Sequence, residues 1–367
     1  MAVQQGKPDV LVVGGGPIGL ASAWRAAQRG LRVVVLDAGE PGAWHVAAGM
    51  LAPIAELRPG EEALLELGVR AAAGYPAFCA ELAGAAGIDP GLRSEGTLVV
   101  ARDRDDAEAL TRLAALHARH GLHAERLLPT AARRAEPALA PTVRLALELR
   151  GDHSVDPRRL VAALRAAVAA TGGEVRAPVH VARVRAGSVE LGDGTVLEAG
   201  TVVLAAGAAA GGLGPALPVR PVKGQVLRLR DPNGPGLIER TVRTLDAYLV
   251  PRADGRYVLG ATMEERGWDR TPTAGGVYEL LRDIAEVVPG VLELELEEVL
   301  AGLRPATPDN RPALGFADGV LVAAGHHRNG ILLAGLTGDL VAGLLAGDPL
   351  PEWAAPAAAA RFAPVPA

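Results

Sequence analysis

Short unbroken apolar runs, each closed by a glycine or a charge, recur along this chain and read as buried strands. The first covers residues 9–13 and is followed by Gly14-Gly-Gly-Pro-Ile-Gly19. A helix is predicted over 20–29, stopped by Gly30, and a second strand over 32–36, ending at Asp37. Together they make a strand–helix–strand unit of roughly 30 residues. Residues 201–206, ending at Gly207, and 320–324 are further buried strands. The latter leads through a glycine-rich loop into an apolar helix over 331–345. Helical spacing also marks 64–82, 105–120 and 157–170, the last with Asp156 as N-cap and Pro157 in its first turn. Strands are predicted over 96–102, 174–185, 188–191, 224–229, 244–251 and 257–263. Asp254-Gly255 is a hairpin signal. As a two-residue loop it would pair position 248 with 261 and put Met263 diagonal to Tyr248 on one face. Residues 292–296 alternate Leu with Glu, as a half-buried strand does. The Pro/Ala tail after Pro351 reads as a frayed terminus.

Composition narrows the class. At 367 residues and 49% hydrophobic, the chain suggests two or three domains with a large core and excludes disorder as its main state. The single cysteine, Cys79, excludes a disulfide framework and a cysteine-based metal centre, fits a reducing cytoplasm, and reads as a small core residue. No metal site is expected. A net charge of −5 without a basic stripe argues against nucleic acid. Residues 1–8 are short and polar, unlike a secretory signal. The uncharged stretch 199–219 is crowded with glycine and proline, so it reads as strand and loop, and no membrane partner is expected. Of the 46 glycines, only those in a pattern carry weight.

Gly14-x-Gly16-x-x-Gly19 lies between a strand and a helix, which is where a pyrophosphate meets a tight turn and a helix N-terminus. Asp37 stands about 20 residues on, where a carboxylate accepts from an adenosine ribose. This favours NAD or FAD over NADP, and the position early in the chain favours FAD. Trp44–Pro53 is apolar but too rich in Gly and Pro for a helix interior. Arg304 sits before Pro305 at a strand-to-loop edge, where an arginine can clamp a carboxylate with two parallel bonds. Taken alone, Arg304 reads as a solvated charge, Tyr248 and Met263 as sheet packing, Met50 as flexible core filler, and His326 and His327 as structural.

Seven segments change that weighting: Val13-Gly-Gly-Gly-Pro-Ile-Gly19, Ala47-Ala-Gly-Met-Leu51, Pro221-Val-Lys-Gly-Gln225, Tyr248-Leu-Val-Pro-Arg252, Gly260-Ala-Thr-Met263, Gly302-Leu-Arg-Pro305 and Gly325-His-His-Arg-Asn-Gly-Ile-Leu332. In these segments and their order the chain resembles the D-amino-acid oxidase family of FAD-dependent oxidoreductases, on the glycine oxidase branch associated with thiamine biosynthesis. The resemblance implies an α/β fold: a Rossmann-like, glutathione-reductase-type FAD domain (1–82, 151–219, 302–367) and an antiparallel-sheet α+β substrate domain (83–150, 220–301). It implies non-covalent FAD held by Gly14, Gly16, Pro17, Ile18, Gly19, Asp37, Ala38, Ala48, Gly49, Met50, Val179, Gly207 and the run His326, His327, Arg328, Asn329, Gly330, Ile331, Leu332. Arg304 and Tyr248 would hold a substrate carboxylate, Met263 and Met50 would line the pocket, and Arg328 would add positive charge or a second substrate contact. The helix N-terminus after Gly330 would face the flavin pyrimidine ring. The implied activity is oxidation of glycine, with sarcosine and D-alanine as further substrates and oxygen as acceptor; a homo-oligomer is expected. Sarcosine or D-amino-acid oxidases or dehydrogenases of the same family, and a non-catalytic flavin-binding protein, are the alternatives. Two departures bear on substrate preference: Asp246 where relatives often carry histidine, and the segment Gly42-Ala-Trp-His-Val46.

Overall fold

The computed structural model describes residues 6–363; residues 1–5 of the polar N-terminus and the last four of the tail lie outside the described residues. A six-stranded sheet runs in the order Ala313–Ala317, Val320–Ala324, Thr201–Leu204, Val10–Val13, Val33–Leu36, Glu174–Arg176. All neighbours are parallel except the first pair. Strands buried on both faces need unbroken apolar sequence, and Val10–Val13, Val33–Leu36 and Val320–Ala324 are buried throughout. Helices Pro17–Gln28, Leu65–Ala86, Pro157–Ala170 and Ala334–Leu345 pack on one side around Trp24, Tyr75, Phe78 and Cys79. Burial pushes the Cys79 thiol up to about 12, which makes it an unreactive core residue.

An eight-stranded sheet forms the second layer, in the order Glu295–Ala306, Arg220–Arg230, Arg256–Gly260, Tyr248–Pro251, Thr241–Arg243, Thr97–Ala101, Leu145–Leu149, Glu125–Leu127. It is antiparallel apart from one parallel pair, Thr241–Arg243 with Thr97–Ala101. A small sheet, Val181–Arg185, Ser188–Leu191 and Val196–Glu198, and the pair Met50–Leu51 with His153–Ser154 complete the strands. Among the described residues, no helix is long and apolar enough to cross a membrane.

Several sequence expectations are corrected. Residues 174–185 are two strands in different sheets, broken at Ala177-Pro178 where the chain leaves the parallel layer. The hairpin pairs Tyr248 with Gly260, because Arg252 N–H bonds the Arg256 carbonyl (2.7 Å) and leaves a three-residue loop closed by Gly255 at φ +82. Met263 is therefore not the diagonal neighbour of Tyr248. The strand ends at Gly260, and the chain rejoins Arg220–Arg230 by a bridge between Lys223 and Glu264. Residues 244–247 form a turn closed by Thr244, so the predicted 244–251 strand starts at Tyr248. The Leu/Glu run is not half-buried: Leu292 belongs to a 3-10 turn, and Leu292 and Leu296 are both exposed. The last long helix begins at Ala334 rather than 331, after a separate 3-10 turn over His327–Asn329.

As far as Ala363 the tail is docked, not frayed. Ala354, Ala357 and Ala359 are buried, and Arg361 bonds both oxygens of Asp309 (2.9 and 3.1 Å) and the carbonyls of Arg311, Pro312 and Ala358. Arg361→Ala should cost about 2 kcal/mol, the worth of a few charge-assisted bonds. Urea unfolding of the two proteins measures it, and an unchanged midpoint would contradict the docking.

Candidate active site

A cavity of about 770 Å³ lies between the two large sheets. One end is built by the glycine turn. Gly14 sits at φ +114, and a Cβ there would strike the Ala205 carbonyl. A Cβ at Gly19 would strike the Gly14 carbonyl, so the helix presses directly on the turn. Gly16 caps helix Pro17–Gln28 without a side-chain bond, leaving first-turn N–H groups at the cavity wall. Gly14, Gly16, Pro17, Ile18, Asp37, Ala38 and Val179 all line this end. Asp37 accepts from Gly39 N–H (3.1 Å) and from Arg165. A carboxylate has roughly four lone-pair sites, so capacity for two ribose hydroxyls remains. The Val179 N–H is committed to the Asp37 carbonyl (2.7 Å).

The middle is lined by Ala48, Gly49, Met50, Gly207, His326, His327, Arg328, Gly330 and Ile331. Gly19, Asn329 and Leu332 do not line it: Gly19 supports the turn, and the Asn329 carbonyl accepts from Leu333 N–H within the following turn. Because the long helix starts at Ala334, its N-terminus does not follow Gly330 directly; the 3-10 turn His327–Asn329 ends at Gly330, and a further turn over residues 331–333 precedes the helix. Arg328 is not a free cation. Its guanidinium bonds Glu56 (3.1 Å) and Glu61 (3.3 Å), and Glu56 also accepts from Arg243 (2.8 Å). Burial pushes the Glu56 carboxyl up, but Arg243 and Arg328 outweigh it and hold it below the usual carboxylate range. Arg328 therefore works as a strut, with no guanidinium edge left over for a substrate carboxylate.

At the far end Arg304, Tyr248, Met263 and Met50 converge on the cavity. Arg304 and Tyr248 come from separate strands of the eight-stranded sheet, and two glycines make room for them. A Cβ at Gly260 would lie 2.6 Å from the Tyr248 hydroxyl, and one at Gly224 would run into the Arg304 guanidinium. Arg304 Nη1 donates to the carbonyls of Thr262 (3.0 Å) and Lys223 (3.4 Å). No acidic side chain pairs with it among the described residues, and the Tyr248 hydroxyl stands beside the guanidinium. Burial raises the Tyr248 phenol, with the adjacent Arg304 opposing, so the hydroxyl is a protonated donor at neutral pH. Asp246 reaches the cavity, but Arg102 pairs with it at 2.7 Å and offsets its charge. Trp44 and His45 sit on the short helix Ala43–Val46 along the wall.

Sequence reading missed Glu56, Arg58, Arg243, Trp268 and Arg270, all on the cavity wall. Trp268 and Arg270 ride a loop that buried Lys223 anchors through Asp269 and the Thr271 carbonyl (both 2.7 Å). The signal was present in Pro221-Val-Lys-Gly-Gln225, where a lysine in a strand interior demands a partner.

A glycine-turn dinucleotide cradle opening into a pocket with one half-free arginine defines a flavin-dependent oxidoreductase acting on a small carboxylate. Residues 9–344 match the FAD dependent oxidoreductase (DAO) family model, and the chain belongs to that family. It is 34% identical over 360 residues to the glycine oxidase of Bacillus licheniformis, covering 94% of this chain and 95% of that one. The bifunctional protein ThiO/ThiG of a Synechocystis species is 36% identical over 92% of this chain and 51% of its own length. Among solved structures, glycine oxidase from Geobacillus kaustophilus superposes with a TM-score of 0.90 at 35% identity, covering 98% of this chain and 100% of that one. The cofactor is FAD.

The two histidines give the site a pH signature. Burial pushes His326 down to about 3, with Thr337 bonding its Nε2 at 3.0 Å. Burial, with Arg328 and Arg304 adding, pushes His327 down to about 4, and neither ring nitrogen of His327 has a partner. The unfolded chain takes up these protons near 6.5 while the folded one does not. Their contribution to stability is thus complete above that pH and is lost as pH falls toward the folded values. FAD-free His327→Phe should lose less stability between pH 7 and pH 5 than the wild type; equal losses in urea unfolding would contradict this.

Proposed function

We propose that this protein is an FAD-dependent oxidase of glycine, acting also on small relatives such as sarcosine and D-alanine. Its products are the imine, hydrolysed to glyoxylate and ammonia, and hydrogen peroxide. The observation that carries the reading is Arg304, fixed through Nη1 and paired with no acidic side chain among the described residues, beside the Tyr248 hydroxyl in a cavity continuous with the dinucleotide cradle. Relatives named glycine oxidase support the choice of substrate.

FAD, when bound, supplies the hydride acceptor for the substrate α-carbon and passes the electrons to oxygen. On our reading the Gly14–Gly19 turn holds its pyrophosphate, Asp37 its ribose, the Val179 main chain its adenine, and Ala48–Met50 with His326–Ile331 its ring system. Arg304 binds the substrate carboxylate with two parallel bonds, and Tyr248 adds a third donor. Met50 and Met263 supply apolar wall without polar groups that would hold water against the α-carbon. The cavity residues include no side chain that must act as base: the amine reacts as its free base, and catalysis is orientation and electrostatics. The reading divides the chain into a cofactor part (1–82, 151–219, 302–367) and a substrate part (83–150, 220–301). Strand Glu295–Ala306 crosses the last boundary, between residues 301 and 302, and carries Arg304 into the cavity. A cytoplasmic homo-oligomer feeding thiamine thiazole formation completes the proposal.

Replacing Arg304 with Ala removes the clamp but no cofactor contact. The KM for glycine should rise at least about tenfold, the effect of losing one charge-assisted carboxylate pair, while FAD stays bound. Unchanged glycine turnover by that variant, followed by peroxide release, would overturn the assignment.

A further inference from the structure

The loop over residues 45–51 is wedged between the two large sheets, and three arginines hold it by its carbonyl groups. Arg228 Nη2 (2.9 Å) and Arg158 Nε (3.1 Å) both donate to the His45 carbonyl. Arg252 Nη2 donates to the Ala48 carbonyl. Arg252 follows strand Tyr248–Pro251 on the face that carries Tyr248 and Val250, and Val250 packs against Ala48 in one apolar cluster with Met50. The Val155 N–H takes the Gly49 carbonyl at 2.9 Å.

The N–H groups are disposed the other way. Those of Ala48 and Gly49 have no partner among the described residues, and both residues line the cavity. In a trans peptide the carbonyl and the following N–H point in opposite directions. Pinning the Ala48 carbonyl to the sheet therefore turns the Gly49 N–H toward the cavity. Gly49 holds φ +80, and a Cβ there would strike the Val155 carbonyl, so nothing bulkier fits this turn.

Arg252 is a poor choice for stability alone. It is 7% exposed, its Nε and Nη1 have no partner, and the nearest carboxylate, Asp156, stands 3.8 Å from Nε. An apolar replacement would spare the cost of burying this charge and lose only the single bond to the Ala48 carbonyl. Burial lowers its guanidinium to about 10, which leaves it charged at neutral pH.

We propose that Arg252 is a positioning residue for the flavin: it orients the Ala48–Gly49 peptide so that the Gly49 N–H donates toward the ring, and its buried charge favours the electron-rich reduced state. The inference rests on FAD as cofactor and not on glycine as substrate.

The test compares Arg252→Met with Arg252→Lys. Three readouts are needed: the melting temperature of FAD-free protein, the Kd for FAD, and the affinity of the holoenzyme for sulfite, which adds to electron-poor flavin. Arg252→Met should fold without FAD and melt within about 5 °C of wild type, the loss of one buried carbonyl's donor, while FAD and sulfite affinities each fall at least about tenfold, and Arg252→Lys should stay within about threefold of wild type. Arg252→Met that fails to fold, or melts more than about 10 °C lower without FAD, would overturn the proposal, because the side chain would then be chiefly structural. Unchanged FAD and sulfite affinities in Arg252→Met, or a lysine variant as weak as the methionine one, would overturn it equally. No readout uses an amino acid, so failure here is distinct from failure of the glycine assignment.

Discussion

The peptide carbonyls of His45, Ala48 and Gly49 are taken up by Arg158, Arg228, Arg252 and the Val155 N–H. The rest of the site depends on that arrangement. Ala48 and Gly49 are buried between the two sheets, so their carbonyls need donors from neighbouring elements. Here the donors come from both sides of the cleft, Arg158 from a helix under the parallel sheet and Arg228 and Arg252 from the antiparallel one. The loop thereby ties the two layers together and fixes the cavity width. Val46 seats directly against Gly302, where a Cβ would collide, and Gly302 lies two residues from Arg304. The position of Arg304, the proposed carboxylate clamp, is thus tied to the packing of this loop.

Charge is arranged around the cavity in two different ways. Arg328, Arg243, Glu56 and Glu61 neutralise one another in a packed network that shapes the wall. Arg304 is held by neutral carbonyls and carries its charge unopposed. A carboxylate entering the cavity therefore meets in Arg304 a guanidinium that no acidic side chain has already taken up. That difference is why Arg304 rather than Arg328 is proposed as the carboxylate-binding group, although both are arginines in family-like motifs.

Local sequence made the parallel sheet legible, because buried parallel strands are apolar without interruption and the turns between them need glycine. Helix Pro157–Ala170 was legible for a similar reason, with Asp156 accepting from the N–H groups of Arg158 and Arg159. Features decided by distant partners were not legible. The Glu56–Arg243 pair joins residues 187 apart, and no periodicity marks either one. Asp-Gly fits a two-residue loop and the end of a three-residue loop alike, so the hairpin register turned on the Arg252–Arg256 bond. The tail looked featureless because alanine carries little pattern, yet alanine is what fits the narrow gap beside Ala313–Ala317, where Ala358 bridges to Leu314.

The central claim is that this cleft brings a small amino acid to a bound flavin and oxidises it. An anaerobic titration of the purified yellow protein with glycine, followed at the flavin absorption band, tests it most directly. The account predicts saturable, complete bleaching, with colour restored on admitting air. An oxidised spectrum that glycine, sarcosine and D-alanine all leave unchanged, in protein carrying stoichiometric FAD, would contradict it.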